Sequence, residues 1–431
     1  MMMMKKLLPA LSAVSAVSAA IALGAALPAA AQQPPAAAAA PASAASAPAF
    51  SVRPEVGKAL NEAVDLYRAG KVADAKAKVE QTQAATAQPQ PAELTVMHRL
   101  RGLFALQLEQ TAEGIQQLEA ALAINAQPPT ETLSCKEALA RGHFNAKAYP
   151  KAADWARQAI ADGSKSAAVQ SVLVRATYLQ NDYAGAVKLL EAQAQRDGKL
   201  NVEDLRLLAS AYGQLKDEAN YVRLIEVLLR EHGRSEYWPD LVSRVQRAGN
   251  WQTRWDIDAY RLRMQLDLME EADDYLVLAD LAAKAGLPAE AQKVLEAGFA
   301  KGLLGKGAKA GEQEKFRAAM VKAANDDRAT LAAAAARPPA VGDARAAAGT
   351  FNTGAALAGA GQAERGLELM KAALAGPLPD PAQARLQYGE ALLRAGRNAE
   401  AAEQFKMLAD HPALGLLARL WQQAATAPRK G

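Results

Sequence analysis

From about Val56 onward, apolar residues return every three or four positions, in runs broken by short polar turns. That spacing lines one face of a helix. The runs come in twos, so the chain predicts a succession of paired amphipathic helices. The clearest pair carries Leu386, Tyr388, Gly389, Leu392, Gly396, Asn398, Ala401, Phe405, Leu408 and Pro412. Gly389 is the small residue where the first helix (helix A) meets its partner (helix B). Gly396 closes the turn between them. Ala401 is the small residue at the tight crossing on helix B, and Phe405 and Leu408 follow on the same face. A bulky residue at Gly389 or Ala401 would force the helices apart. No run alternates apolar and polar residues long enough to predict a strand. The expected fold class is all-α.

The order small, large, glycine turn, alanine, large, leucine, proline resembles the tetratricopeptide repeat. The helix B alanine position can be followed back through Ala75, Gly114, Ala152, Ala186, Tyr221, Arg254, Ala291, Gly366 and Ala401. Most gaps are 33 to 39 residues, against a family period of about 34. The gap from Ala291 to Gly366 is 75 residues, which predicts a degenerate unit around Glu312 to Ala336. Tyr221 and Arg254 are too large for the position, so either those crossings are looser or the register there is off by a turn. The resemblance implies a superhelical solenoid of antiparallel helix pairs, in which stacked neighbours bury the apolar faces and enclose a concave groove.

Two stretches interrupt the pattern. Ala300 to Gly311 is rich in Gly and Lys and reads as an inter-helix loop. Ala332 to Thr353 is rich in Ala, Pro and Gly with few helix signals, and reads as a hinge. The expected organisation is a helical array over 51–336, a hinge over 337–349, and C-terminal helical pairs over 350–425.

The N-terminus has a separate logic. Lys5 and Lys6 precede an apolar stretch from Leu7 to Leu27, and Ala29-Ala30-Ala31 offers a small-residue cleavage site. These are the zones of a signal peptide over 1–31. A retained membrane anchor is the alternative, opposed by Pro9, the serines and the alanine content. With no cysteine near the site, a lipoprotein signal is not expected. Residues 32–50 are Ala, Pro and Ser without net patterning, a linker composition expected to be disordered. No later run is apolar and long enough to span a bilayer, so no stable membrane insertion is expected after cleavage. The only cysteine is Cys135, which excludes an intramolecular disulfide. An exported chain without disulfides fits a Gram-negative periplasm.

Composition changes little else. The chain is 51% hydrophobic but only 5% aromatic, with alanine dominating, which favours closely packed helices. The formal net charge of +4 over 431 residues is no footprint for nucleic acid.

Candidate chemistry is sparse. Gly302-Leu303-Leu304-Gly305-Lys306-Gly307 is superficially like a phosphate loop, but it lacks the hydroxyl residue after the lysine and a preceding strand. His98, His143, His232 and His411 are too far apart for a metal cluster. No Gly-x-Ser-x-Gly elbow and no Glu-Ser dipeptide occurs. Glu270, Glu271, Asp273 and Asp274 fall at a helix start, where carboxylates are favoured. Trp238, Trp251 and Trp255 read as packing around a wide crossing rather than as a binding platform. No catalysis, cofactor or metal is expected.

In the tetratricopeptide family, helix A residues on the concave side contact the partner. The resemblance transfers that role to Arg99, Arg141, Arg175, Arg206 and Arg247, with Asn145, Tyr178 and Gln214 beside them. Arginine forks suit carboxylates, so an acidic or C-terminal peptide is the expected ligand; pairing with glutamates of adjacent helices is the alternative. The function expected is a periplasmic scaffold holding a peptide or helix of another envelope protein in its groove. A second expectation is an envelope or cell-wall assembly factor that holds a biosynthetic or peptidoglycan enzyme.

Overall fold

A computed structural model describes residues 50–426. The expected leader and nearly all of the expected linker lie outside the described residues. Val52 onward forms one compact unit. It is an all-α, tetratricopeptide-like solenoid, and no strand occurs among the described residues.

Four antiparallel pairs open the array: α1 (Pro54–Arg68) with α2 (Val72–Ala85), α3 (Pro91–Gln107) with α4 (Thr111–Ile124), α5 (Pro129–Asn145) with α6 (Tyr149–Ala161), and α7 (Ala167–Leu179) with α8 (Tyr183–Asp197). Three more follow: α9 (Val202–Gln214) with α10 (Glu218–His232), α11 (Trp238–Gln246) with α12 (Asp256–Gln265), and α13 (Ala272–Lys284) with α14 (Pro288–Ala300). A lone helix, α15 (Ala310–Ala335), comes next. The chain then makes α16 (Ala344–Gly359) with α17 (Ala363–Ala373), α18 (Pro381–Arg394) with α19 (Asn398–Lys406), and a final α20 (Gly415–Thr426).

The helix starts follow local chemistry. Proline stands in the first turn of α1, α3, α5, α14 and α18, where its missing N–H costs nothing. Asp182, Asp217, Asp343 and Asp380 accept backbone N–H bonds as caps. Glu271 and Asp274 form a reciprocal capping box on α13, the role expected for that acidic run.

One turn recurs within the pairs. Gly70, Glu109, Lys147, Asn181, Lys216, Gly286, Gly361 and Gly396 all have positive φ. Each stands two residues before a helix B. The residue after it donates back across the turn, as Arg397 does to the Leu392 carbonyl at 2.9 Å. This is a Schellman-type helix end. The small-residue position lies five residues after each of these turns and is the fourth residue of every such helix B. Ala75, Ala152, Ala186, Ala291 and Ala401 are all fully buried there.

That frame corrects two expectations. Arg254 does not occupy the crossing: it lies in a 3₁₀ turn (Thr253–Trp255) before α12, and the fourth residue of α12 is the fully buried Ala259. Tyr221 does hold the position, yet its crossing is filled rather than loose. A Cβ on Gly213 of α9 would stand 3.4 Å from the Tyr221 ring, and the Tyr221 hydroxyl donates to Asp240 at 2.9 Å. The expected degenerate pair around Glu312 to Ala336 is also replaced, by the single 26-residue α15.

The C-terminal helices do not trail off as a separate short array. α20 packs on α11 and α12, and α18 faces α12. One apolar cluster joins Leu241, Val245, Trp255 and Leu262 to Leu386, Leu417, Leu420 and Trp421. Polar contacts cross the same junction: Arg419 Nε to Glu226 at 3.0 Å, Asn250 Nδ2 to the Pro412 carbonyl at 2.8 Å, and Arg254 to Asp380 at 3.0 Å. The stretch expected to be a hinge is helical from Ala344, because Asp343 caps α16 and Ala347 and Phe351 bury a face.

Candidate functional site

The A helices of successive pairs touch one another along the N-terminal part of the array, α1 to α3, α3 to α5 and α5 to α7. Between α7 and α9 the Tyr178 hydroxyl meets Ser210 Oγ at 2.7 Å. The five projected arginines do not share one position on this row. Counted from the left-handed turn residue, Arg141 precedes Lys147 and Arg175 precedes Asn181 by the same six positions. Arg99 and Arg206 stand a turn earlier on their helices, and Arg247 is the residue that ends α11.

Their surroundings differ accordingly. Arg99 is only 5% exposed and forms an ion pair with Glu131 at the start of α5. Arg206 is half-buried, 3.6 Å from Glu203 one turn back. Arg141 and Arg175 are half-buried, and among the described residues no carboxylate lies within 4.0 Å of either. Arg247, Asn145 and Gln214 are exposed at helix ends. The structure thus singles out Arg141 and Arg175: equivalent positions, adjacent A helices, guanidinium groups without an acidic partner. Asn145 follows Arg141 by one turn, and Tyr178 follows Arg175.

The other candidates resolve into packing. Leu304 is 2% exposed and packs beside Gly298, while Gly305 donates to Gln313 Oε1 at 2.8 Å. The Gly/Lys-rich loop is therefore plugged by its own leucine rather than open as a phosphate cradle. Trp238 and Trp255 are buried, and Trp251 meets Trp255 edge-on at 5.5 Å. His143 is buried against Glu119 at 3.4 Å, and its burial lowers its pKa. His411 Nδ1 accepts from the Leu414 N–H at 3.1 Å, shaping the turn into α20. Burial pushes the Cys135 thiol up to about 11, so it is no nucleophile at neutral pH. Among the described residues no group of three or more His, Cys, Asp or Glu is arranged to hold a metal. None of the helices there is long and apolar enough to cross a membrane.

Sequence reasoning missed one cluster altogether. Arg261 of α12 reaches Asp258 at 3.1 Å, Glu290 of α14 at 2.7 Å and Glu390 of α18 at 3.1 Å. Asp258 and Glu390 are fully buried. Gln383 and Gln387 each donate to Asp258 at 3.0 Å. Asp258 and Arg261 are one turn apart, a spacing that any exposed helical ion pair shows, and Glu390 comes 129 residues later. Nothing local in the sequence connects them.

No family model matches the chain, and no curated protein matches it. Among solved structures, it is similar to a Podosopora anserina protein described as a kinesin light chain with nearly identical TPR-like repeats. That match has 20% identity, covers 40% of this chain and 92% of the other, and has a TM-score of 0.32. It is also similar to Naa15/Naa10 bound to HypK-THB, at 14% identity over 84% of this chain and 64% of that one, with a TM-score of 0.33. A third is the TPR domain of P58(IPK), at 14% identity over 86% and 97% of the two chains, with a TM-score of 0.23. The repeat character of the fold rests on its own helix pairs.

Proposed function

We propose that this protein is an exported periplasmic scaffold that binds an acidic peptide segment or helix of another envelope protein on its A-helix row, around Arg141 and Arg175. One observation carries the reading. The two arginines repeat at equivalent helix positions with half-buried, unpaired guanidinium groups, while Arg99 on the same row is closed off by Glu131. A half-buried guanidinium with no carboxylate partner is open to an incoming one, which it takes through bidentate bonds. Two such forks one repeat apart select an extended ligand with two acidic groups or a C-terminal carboxylate and one acidic side chain. The leader-like segment from Lys5 to Ala31 supports export.

The test is a photocrosslinker at the exposed Asn145, in the full chain expressed in a Gram-negative host, with fractionation of the cells. The expected result is a periplasmic chain and one envelope adduct that disappears in the Arg141→Glu, Arg175→Glu double variant. The adduct should persist when the distant, exposed Arg328 is changed to Glu. A cytoplasmic chain would remove the periplasmic part of the reading. Adducts indifferent to both arginines would remove the binding site.

A further inference from the structure

We propose that Glu390 is a buried proton-binding site through which pH controls how firmly the C-terminal helices dock on α12. The geometry is a shortage of cations. Three carboxylates, those of Asp258, Glu290 and Glu390, surround the single guanidinium of Arg261. Glu290 takes two parallel bonds from it, at 2.7 and 2.8 Å, and has Arg394 within 4.0 Å. Asp258 takes the amide bonds of Gln383 and Gln387 besides that of Arg261. Both have more hydrogen-bond donors as anions than Glu390 has. Glu390 has only a share of Arg261 Nη1, at 3.1 Å on Oε2, and its buried Oε1 has no hydrogen-bond partner. It is the carboxylate whose charge is costliest to keep.

The charges that face the cluster come from three helices: Asp258 and Arg261 from α12, Glu290 and Lys293 from α14, and Arg394 from the same helix as Glu390. Lys293 is turned away to the Gly359 carbonyl at 2.7 Å, so with Glu390 neutral, Arg261 and Arg394 balance Asp258 and Glu290. Burial, then the Asp258 charge, raise the affinity of Glu390 for its proton well above that of an ordinary carboxyl. Burial pushes Asp258 the same way, to about 6.

The site matters because it lies on the junction where the C-terminal helices dock on α12. Undocking α18 from α12 exposes Glu390 to water, where it loses its proton at neutral pH. The docked state binds a proton that the undocked state releases. The sign follows from linkage. Glu390 has a raised value in the docked state, so its contribution is fully present below the ordinary glutamate value and is lost as pH rises through the raised one. Docking is firmest in mildly acidic solution and loosens toward alkaline pH.

Hydrogen exchange of the full chain at pH 6 and pH 9, corrected for intrinsic chemistry, tests this. Protection in α12 and α18 should fall between the two, by about tenfold for each pH unit above 6 over which docked Glu390 keeps its proton. Protection in α3 and α4 should not change. In Glu390→Gln, which keeps the shape of the protonated side chain, the fall in α12 and α18 should shrink to the roughly twofold that Asp258, at about 6, still contributes. Glu390→Met serves the same purpose if glutamine prevents folding. Equal protection of the unaltered protein at both pH values overturns the proposal, as does an undiminished fall in either variant. If neither variant folds, the unaltered protein decides alone: a fall confined to the helices around Glu390 upholds the proposal, and none overturns it.

Discussion

Tyr221 of α10 occupies the crossing position that alanine or glycine holds in most neighbouring pairs, and Gly213 of α9 lies directly beneath its ring. The exchange of sizes across one interface keeps the inter-helix distance short. Replacing Tyr221 by Ala should cost about 2 kcal/mol or more, since the cavity cannot collapse onto a glycine. Tyr221→Phe should cost only about 1 kcal/mol, the net worth of the bond to Asp240. Urea denaturation midpoints of the two variants check both figures.

Backbone meets backbone where α16 crosses α17. A Cβ on Gly354 would stand 2.6 Å from the Gly366 carbonyl oxygen, and one on Gly366 would stand 2.6 Å from the Gly354 carbonyl oxygen. Backbone cannot step aside as a side chain can. Gly354→Ala should therefore destabilise by about 2–3 kcal/mol. Gly359→Ala, five residues along the same helix with its nearest neighbour at 3.9 Å, should be neutral or stabilising by up to about 1 kcal/mol. Thermal melting of both variants separates steric cost from helix propensity.

The turn residues make an opposite prediction. Lys147 has φ of 58° and Gly396 φ of 78° at equivalent positions. A side chain with a Cβ is strained there by about 1 kcal/mol. Lys147→Gly should raise stability by up to that amount, and Gly396→Ala should lower it by a similar amount. Denaturation of the full chain, each variant against the unaltered protein, reads the two signs directly.

The arginines of the A-helix row should divide by role. Arg99→Ala leaves Glu131 without its partner beside a buried site and should destabilise by about 3 kcal/mol. Arg175→Ala breaks no ion pair and should change stability by less than about 0.5 kcal/mol. If Arg175→Ala proves as damaging as Arg99→Ala, Arg175 is a packing residue and the proposed ligand site is wrong.

Acid should loosen the N-terminal pairs. Glu93 is buried at the start of α3, with Arg53 bonds at 2.7 Å to both carboxylate oxygens. Those bonds hold its pKa down to about 2. A depressed carboxyl contributes stability above its unfolded value and loses it as pH falls through the folded one. Protection of α1 and α3 in hydrogen exchange should therefore decline from about pH 4.5 toward pH 2. Glu93→Gln should begin less protected and decline less over that range.

Much of this protein was legible along the chain because its repeat is written locally. A helix pair needs an apolar stripe, a turn that reverses the chain and one small residue where the helices cross, and all three fall within about 34 residues. The frame failed at Arg254 because the recurring turn is absent before α12 and a 3₁₀ segment takes its place. It failed again at α15, where alanine supplies helix propensity without marking a second helix. The arginines of the A-helix row were visible as residue types. Which of them pair with glutamate depends on neighbouring helices, so only the structure separated Arg99 from Arg141 and Arg175. The return of α18 and α20 onto α10, α11 and α12, and the burial of Glu390 against Arg261, had no sequence signal at all. Contacts across 129 residues depend on the summed geometry of every pair between them, and a local pattern does not encode that sum.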